Sequence, residues 1–262
     1  MTDPRLVPVV PAATVVLLRE GASGPEVFLV RRHRRSGFLP DVWVFPGGRV
    51  EPSDRDVPAD RARGGLAALA ALGLDDRGLL VGAARETFEE AGVWLGEGSP
   101  DAVARHALAR GQVALADVLA TTDATLDLDR LRPWARWITP VSEPRRFDTV
   151  FLVAATDGSG AAHDAHETVD SAWVAPAEAL AARERFPMAP PTWWTLGELA
   201  RWPSVAQVLS APRALDPVRP DLDLHAGTFA INLPGHPTHA EPRRPDLPTR
   251  IALGAEGWFA EP

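Results

Sequence analysis

The chain contains no cysteine, no tyrosine and no lysine. Without cysteine there is no disulfide, no thiolate metal site and no cysteine nucleophile. Without lysine, all 27 basic residues are arginine. Any grip on a phosphate must then come from a guanidinium, a backbone N–H or a metal ion. Long apolar runs are also missing. The longest, around residues 9–18, is interrupted by proline and too short to span a bilayer. The start, Met1-Thr2-Asp3-Pro4, has neither the basic nor the apolar region of a signal peptide. The end, Ala260-Glu261-Pro262, is not a peroxisomal address. The expectation is a cytoplasmic protein without a membrane partner. Positive charge is in deficit, and a net charge of −8 argues against nonspecific binding to nucleic acid.

What remains is a globular composition. Apolar residues make up 45% of 262 positions, enough for one sizeable core. A single domain over residues 1–262 is expected.

Two segments about thirty residues apart stand out. The first is Phe45-Pro46-Gly47-Gly48-Arg49-Val50-Glu51, and the second is Arg85-Glu86-Thr87-Phe88-Glu89-Glu90-Ala91-Gly92-Val93. Residues 43–45 read as a short strand, followed by a sharp turn at Pro46-Gly47-Gly48. There the glycines allow positive φ and close approach of the backbone to a ligand. Residues 79–91 read as a helix. At about 100° per residue, Glu86, Glu89 and Glu90 share one arc, and Leu80, Ala84, Thr87, Phe88 and Ala91 occupy the other. Gly92 supplies a C-terminal stop. Acids at i, i+3 and i+4 repel each other, but their oxygens suit a hard divalent cation. Arg85, four residues before Glu89, can orient a carboxylate. A solvated helix face would show the same acid pattern.

Together the two segments resemble the Nudix box, whose pattern is a Gly, five residues, a Glu, seven residues, then Arg-Glu-U-x-Glu-Glu-x-Gly-U with U a bulky apolar residue. Gly48 opens the pattern here. Asp54 stands where the first Glu is expected, residues 55–84 replace the usual seven, and Thr87 replaces the first bulky residue. The chain is more similar still to peroxisomal-type coenzyme A diphosphatases and their bacterial relatives, which also carry an inserted box. Segments that support this are Ser36-Gly37-Phe38-Leu39-Pro40, Trp134-Ala135-Arg136-Trp137-Ile138-Thr139-Pro140, Arg145-Arg146-Phe147-Asp148-Thr149 and Pro190-Pro191-Thr192. The resemblance covers roughly residues 14–201.

That resemblance implies an α/β Nudix fold, a mixed β-sheet sandwiched between helices. A helical insertion at about 55–78 and extra C-terminal helices from about 203 to 262 would be added to it. It implies cleavage of a diphosphate in a nucleoside diphosphate linked to another group, with coenzyme A or an acyl derivative as substrate. It also implies Mg²⁺ or Mn²⁺ held by Glu86, Glu89, Glu90 and the Gly48 carbonyl, with Gly47 and Gly48 against the substrate. Substrates such as ADP-ribose, NADH or a nucleotide sugar, or a binding module without turnover, are the alternatives. A homodimer through the apolar Trp258-Phe259 end is a further expectation.

Elsewhere, residues 14–19 and 26–32 read as a hairpin with one buried face, joined at Gly21-Ala22-Ser23-Gly24-Pro25. Residues 54–78 read as a helical excursion that leaves the core and covers one rim of the site. Residues 100–119, 176–185, 192–202 and 204–209 read as helical, and 149–154 and 168–174 as strands. Beyond Pro212 one β-like run, 227–233, is visible. Family members often carry a further acid before the last core strand. His166-Glu167 occupies that loop, so Glu167 is a candidate base or ligand, with an exposed loop acid as the plain reading. Arg31, Arg32, Arg34 and Arg35 form a basic cluster suited to phosphates, or ordinary solvated charge. Arg146 and Phe147 offer a second clamp and an aromatic face, or a strand start. His236-Pro237-Thr238-His239 has zinc-like spacing but reads as a tail loop.

Overall fold

The computed structural model describes residues 7–35, 40–164, 167–223, 229–255 and 257–261. The expectations that rest on Ser36 to Leu39, Ala165, His166 and the start of the 227–233 run lie outside these residues. In chain order come strands β1 (Val9–Gly21), β2 (Gly24–Arg32), β3 (Trp43–Val44) and β4 (Gly47–Arg49), then a 3₁₀ turn (Pro52–Asp56). β5 (Ala62–Arg63), α1 (Leu66–Leu72), α2 (Gly78–Ala91), β6 (Gly96–Glu97), α3 (Ala102–Ala109), α4 (Leu115–Ala120) and β7 (Thr125–Asp127) follow. The rest is β8 (Arg132–Ile138), β9 (Arg146–Ala155), β10 (Thr168–Val174), α5 (Pro176–Ala181), α6 (Pro190–Leu199) and α7 (Val205–Ser210), then β11 (Asp221–Asp223), β12 (Ala230–Asn232), β13 (Arg250–Gly254) and β14 (Gly257–Glu261).

The main sheet is mixed, in the order β10-β2-β1-β9-β8, with β3 added on β2 and β4 on β1. β1 and β9 run parallel, and the other pairs are antiparallel. The sheet is covered on both sides, and alternation along β1 and β2 divides the core. Val15, Leu17, Phe28 and Val30 pack with the buried faces of α1, α2 and α4. Val16, Leu18, Val27 and Leu29 pack with α5, α6, α7 and the C-terminal strands. The expected one-faced hairpin is therefore a pair of central strands buried on both faces. A near-continuous apolar run, such as Val15-Val16-Leu17-Leu18, is the mark of that placement.

Two further expectations change. Only residues 66–72 of the insertion form an α-helix, and the segment does not leave the core. Val57, Ala62, Ala68, Leu69 and Leu72 are buried in the cluster beneath α2. β5 pairs with β7 in a small three-stranded sheet, and Arg77 donates to the carbonyls of Val57, Pro58 and Ala62. The insertion thus supports the N-terminal half of α2, and its packing is explained by its own Ala and Leu content. Where extra helices were expected from about 203 to 262, the described residues form one helix, α7, and an antiparallel sheet, β11-β12-β13-β14. At the apolar end, Trp258 donates from Nε1 to the Met188 carbonyl at 2.7 Å and packs against the second core half, while Phe259 is exposed. His236 and His239 are held in local turns, with hydrogen bonds to Thr238 and to the Arg219 carbonyl.

Candidate active site

α2 starts at Gly78 and stops at Gly92, whose φ of 70° is the left-handed cap that ends the helix. It is buried almost all round, Arg85, Glu89 and Glu90 included. This corrects the amphipathic reading. The acid arc faces protein, so its charges are arranged against other groups and not against bulk water. Thr87 fits this setting because its hydroxyl donates to the Ala83 carbonyl at 2.7 Å.

The two halves of the motif meet across β4 and α2. The Gly47 amide donates to Glu90 Oε2 at 2.9 Å. The Glu86 carboxylate lies against Gly48 so closely that a Cβ there would sit 2.4 Å from Oε1. At Gly47 a Cβ would meet the Ala13 carbonyl oxygen at 2.4 Å, because β4 pairs tightly with β1. Both glycines are required by close approach.

Arg85 is the hub of the cluster. Its Nε and Nη2 donate to Asp54 Oδ1 and Oδ2 at 2.8 and 3.1 Å, and Nη2 also reaches the Arg49 carbonyl at 3.0 Å. Its Nη1 donates to Glu86 at 3.0 Å and to Glu89 at 3.2 Å. Asp54 is short, yet it reaches Arg85. The 3₁₀ turn brings Asp54 against α2, Asp54 Oδ2 accepts the Glu51 amide at 2.8 Å, and Gly82 leaves the space. A Cβ at Gly82 would meet Asp54 Oδ2 at 2.7 Å. The Gly82–Asp54 fit has no signal in the motif pattern.

Burial opposes the Arg85 charge, but hydrogen bonding to Asp54 and the nearby carboxylates outweigh it and raise its pKa. Burial pushes Glu86 up to about 7 despite Arg85, and Glu89 up to about 6. Glu90 is raised well above the usual carboxylate range, first by burial and then by the charge of Glu86, with the Gly47 amide and Arg32 opposing. The Glu167 charge adds to the rise at both Glu86 and Glu90. Glu167 immediately precedes β10, whose Thr168 pairs with Arg32, and this puts its charge within electrostatic range of the acid pair.

Arg32 belongs to this site and its neighbours do not. Alternation along β2 turns Arg32 to the α2 side, where its charge acts on Glu90. Arg31 points the other way and pairs with Asp41 at 2.8 Å, Arg34 pairs with Asp41 at 3.1 Å, and Arg35 is exposed. Arg146 and Phe147 start β9 beside Val9 and Val10, and Arg146 donates to the Thr139 and Val7 carbonyls. Val9 is five residues along β1 from Thr14, the partner of Gly47, a separation of roughly 17 Å. The second clamp is therefore not gathered with the acids.

The donor set suits a hard divalent cation. It offers carboxylate and carbonyl oxygens, and burial, with a smaller contribution from neighbouring carboxylates, raises three of the acids' pKa values. Among the described residues no three of these side chains converge on one coordination point. Glu89 is turned onto Arg85, and Glu90 accepts the Gly47 amide through Oε2.

Known proteins are similar to this chain over α2 and the elements around it. The family model described as the NUDT19 Nudix domain matches residues 70–199. The acyl-coenzyme A diphosphatase NUDT19 of Gallus gallus is 30% identical, over 78% of this chain and 72% of that protein. The chain belongs to the NUDT19 family of Nudix hydrolases. The NUDT19 protein of Xenopus laevis is 26% identical, over 72% of this chain and 63% of its own length. A Nudix hydrolase from Alicyclobacillus acidocaldarius superposes with a TM-score of 0.69 at 30% identity, covering 79% of this chain and 98% of that one. The α/β Nudix fold and the diphosphatase class follow, and Nudix hydrolases generally use divalent metals. No helix among the described residues is long and apolar enough to cross a membrane.

Proposed function

We propose that this Nudix hydrolase cleaves the diphosphate of coenzyme A or an acyl-coenzyme A, with Mg²⁺ or Mn²⁺ as its cation. The observation that carries the reaction type is the junction of Gly47-Gly48 with Glu86 and Glu90, beside Glu167. The substrate class follows from the names of the NUDT19 relatives. Glu86, Glu89, Glu90 and the Gly48 carbonyl would hold the cation. When bound, it supplies charge neutralisation on the diphosphate and polarises the phosphoryl group under attack. Arg85, locked by Asp54, keeps Glu86 and Glu89 in register with the Gly-Gly turn. Arg32 contributes positive charge on the phosphate side of Glu90. Glu167 takes a proton from the attacking water. The water oxygen forms a bond to one phosphorus as the bridging P–O bond breaks, and two phosphate monoesters leave.

The test is product release from a panel of coenzyme A, acyl-coenzyme A, ADP-ribose, NADH and a nucleotide sugar. Each is incubated with Mg²⁺, Mn²⁺ or EDTA. We expect cation-dependent cleavage with the highest kcat/KM on the coenzyme A pair. Equal or greater kcat/KM on ADP-ribose or NADH would overturn the substrate assignment.

A further inference from the structure

α3 packs on the C-terminal end of α2, and one of its side chains joins two elements that have no covalent reason to meet. Arg105 Nε donates to the Glu89 carbonyl at 3.0 Å, and Arg105 Nη2 donates to the Ala162 carbonyl at 2.7 Å. The first acceptor is an otherwise open carbonyl in the last turn of α2, where a cation is favoured. The second lies in the loop between β9 and β10. The same loop returns a bond, from the Ala162 amide to the Ala91 carbonyl at 3.0 Å. Gly92 leaves space for the guanidinium, since a Cβ there would sit 2.8 Å from Arg105 Nη1.

The bonds continue along the loop. Asp164, whose charge acts on Arg105, accepts the Glu167 amide at 3.0 Å and the Thr168 amide and hydroxyl at 2.9 and 2.6 Å. The Glu167 carbonyl accepts the His33 amide at 3.0 Å at the end of β2. The turn that presents Glu167 is thus tied to α2 through Arg105 and closed by Asp164. Arg105 is half-buried and touches none of Glu86, Glu90 or Glu167 through a side-chain bond.

We propose that Arg105 is a positioning residue. It fixes the β9–β10 loop to the end of the catalytic helix so that Glu167 stands over the acid pair. This inference rests on the role given to Glu167 above. The experiment is a double-mutant cycle with Arg105→Ala and Glu167→Gln, read by kcat and KM on the preferred panel substrate. Thermal melting and amide exchange at Glu167 and Thr168 are followed in parallel. Glu167→Gln should lower kcat about a hundredfold, within the usual range for a general base. Arg105→Ala should lower kcat about tenfold, leave KM within twofold and speed exchange at the two amides. In the Glu167→Gln background, Arg105→Ala should cost no further activity, because the residue it positions is already disabled. Additive losses, or a normal kcat in Arg105→Ala, would show a merely structural clamp. A normal kcat in Glu167→Gln would remove the role of Glu167 itself, and the positioning role with it.

Discussion

At the scale of single residues, the site depends on which way each side chain turns. The four arginines of residues 31–35 read as one basic patch in sequence. Strand alternation separates them, with Arg32 toward Glu90, and Arg31 and Arg34 both paired with Asp41. The period of two and the strand end at Arg32 were both legible in the sequence, but which face of β2 meets α2 was not, so the cluster could not be divided. Arg32→Ala should lower kcat/KM about tenfold or more, the value of one charge-assisted contact. Arg35→Ala, at an exposed position, should change it less than twofold. Steady-state kinetics on coenzyme A would check both, and equal losses would return the pair to a single patch. Asp54 shows the opposite case. Its substitution for Glu was plain in the sequence. The short 3₁₀ turn and the recess at Gly82, which let Asp54 reach Arg85, are three-dimensional facts without a local code.

At the scale of elements, α2 was legible almost residue for residue, because its period and its terminal Gly92 are local signals. Its surroundings were not. The sequence shows an acid arc, and the fold buries it. Burial raises Glu86 to about 7 and Glu89 to about 6, against an ordinary value of 4.5. A carboxyl whose folded pKa lies above its unfolded one favours the protonated folded state. Its stabilising contribution is full below pH about 4.5 and is lost as pH rises through the folded value. In EDTA, the protein should therefore lose urea resistance between pH 5 and 7 more steeply than Glu86→Gln does. Added divalent cation should narrow that difference. A parallel pH dependence in the two proteins would show that Glu86 is not held against its charge. Beyond Pro212 the expected run at 227–233 contains β12, while β11, β13 and β14 were missed for a related reason. They are three to five residues long and their pairing depends on partners brought together only by the fold.

At the scale of the whole molecule, the insertion and the C-terminal sheet both end up inside the architecture. Residues 55–78 complete the core under the N-terminal half of α2, and β12 and β13 cover the opposite face of the main sheet through Ile231 and Ile251. The fold class was readable from the two motif halves, since they specify a loop, a helix and their junction. What covers them was not readable, because Ala, Leu and Pro content fits an excursion as well as a buried layer. On the proposed function, the divided motif acts as one cation-dependent hydrolytic site. Glu90 tests it most directly, because Gln at that position keeps an oxygen to accept the Gly47 amide while losing the charge a divalent cation needs. The measurement is turnover of acyl-coenzyme A at saturating Mg²⁺ by wild type and Glu90→Gln, with melting in EDTA as the control for folding. The expected outcome is at least a hundredfold lower kcat in the variant with no fall in melting temperature. Turnover within a fewfold of wild type would contradict it.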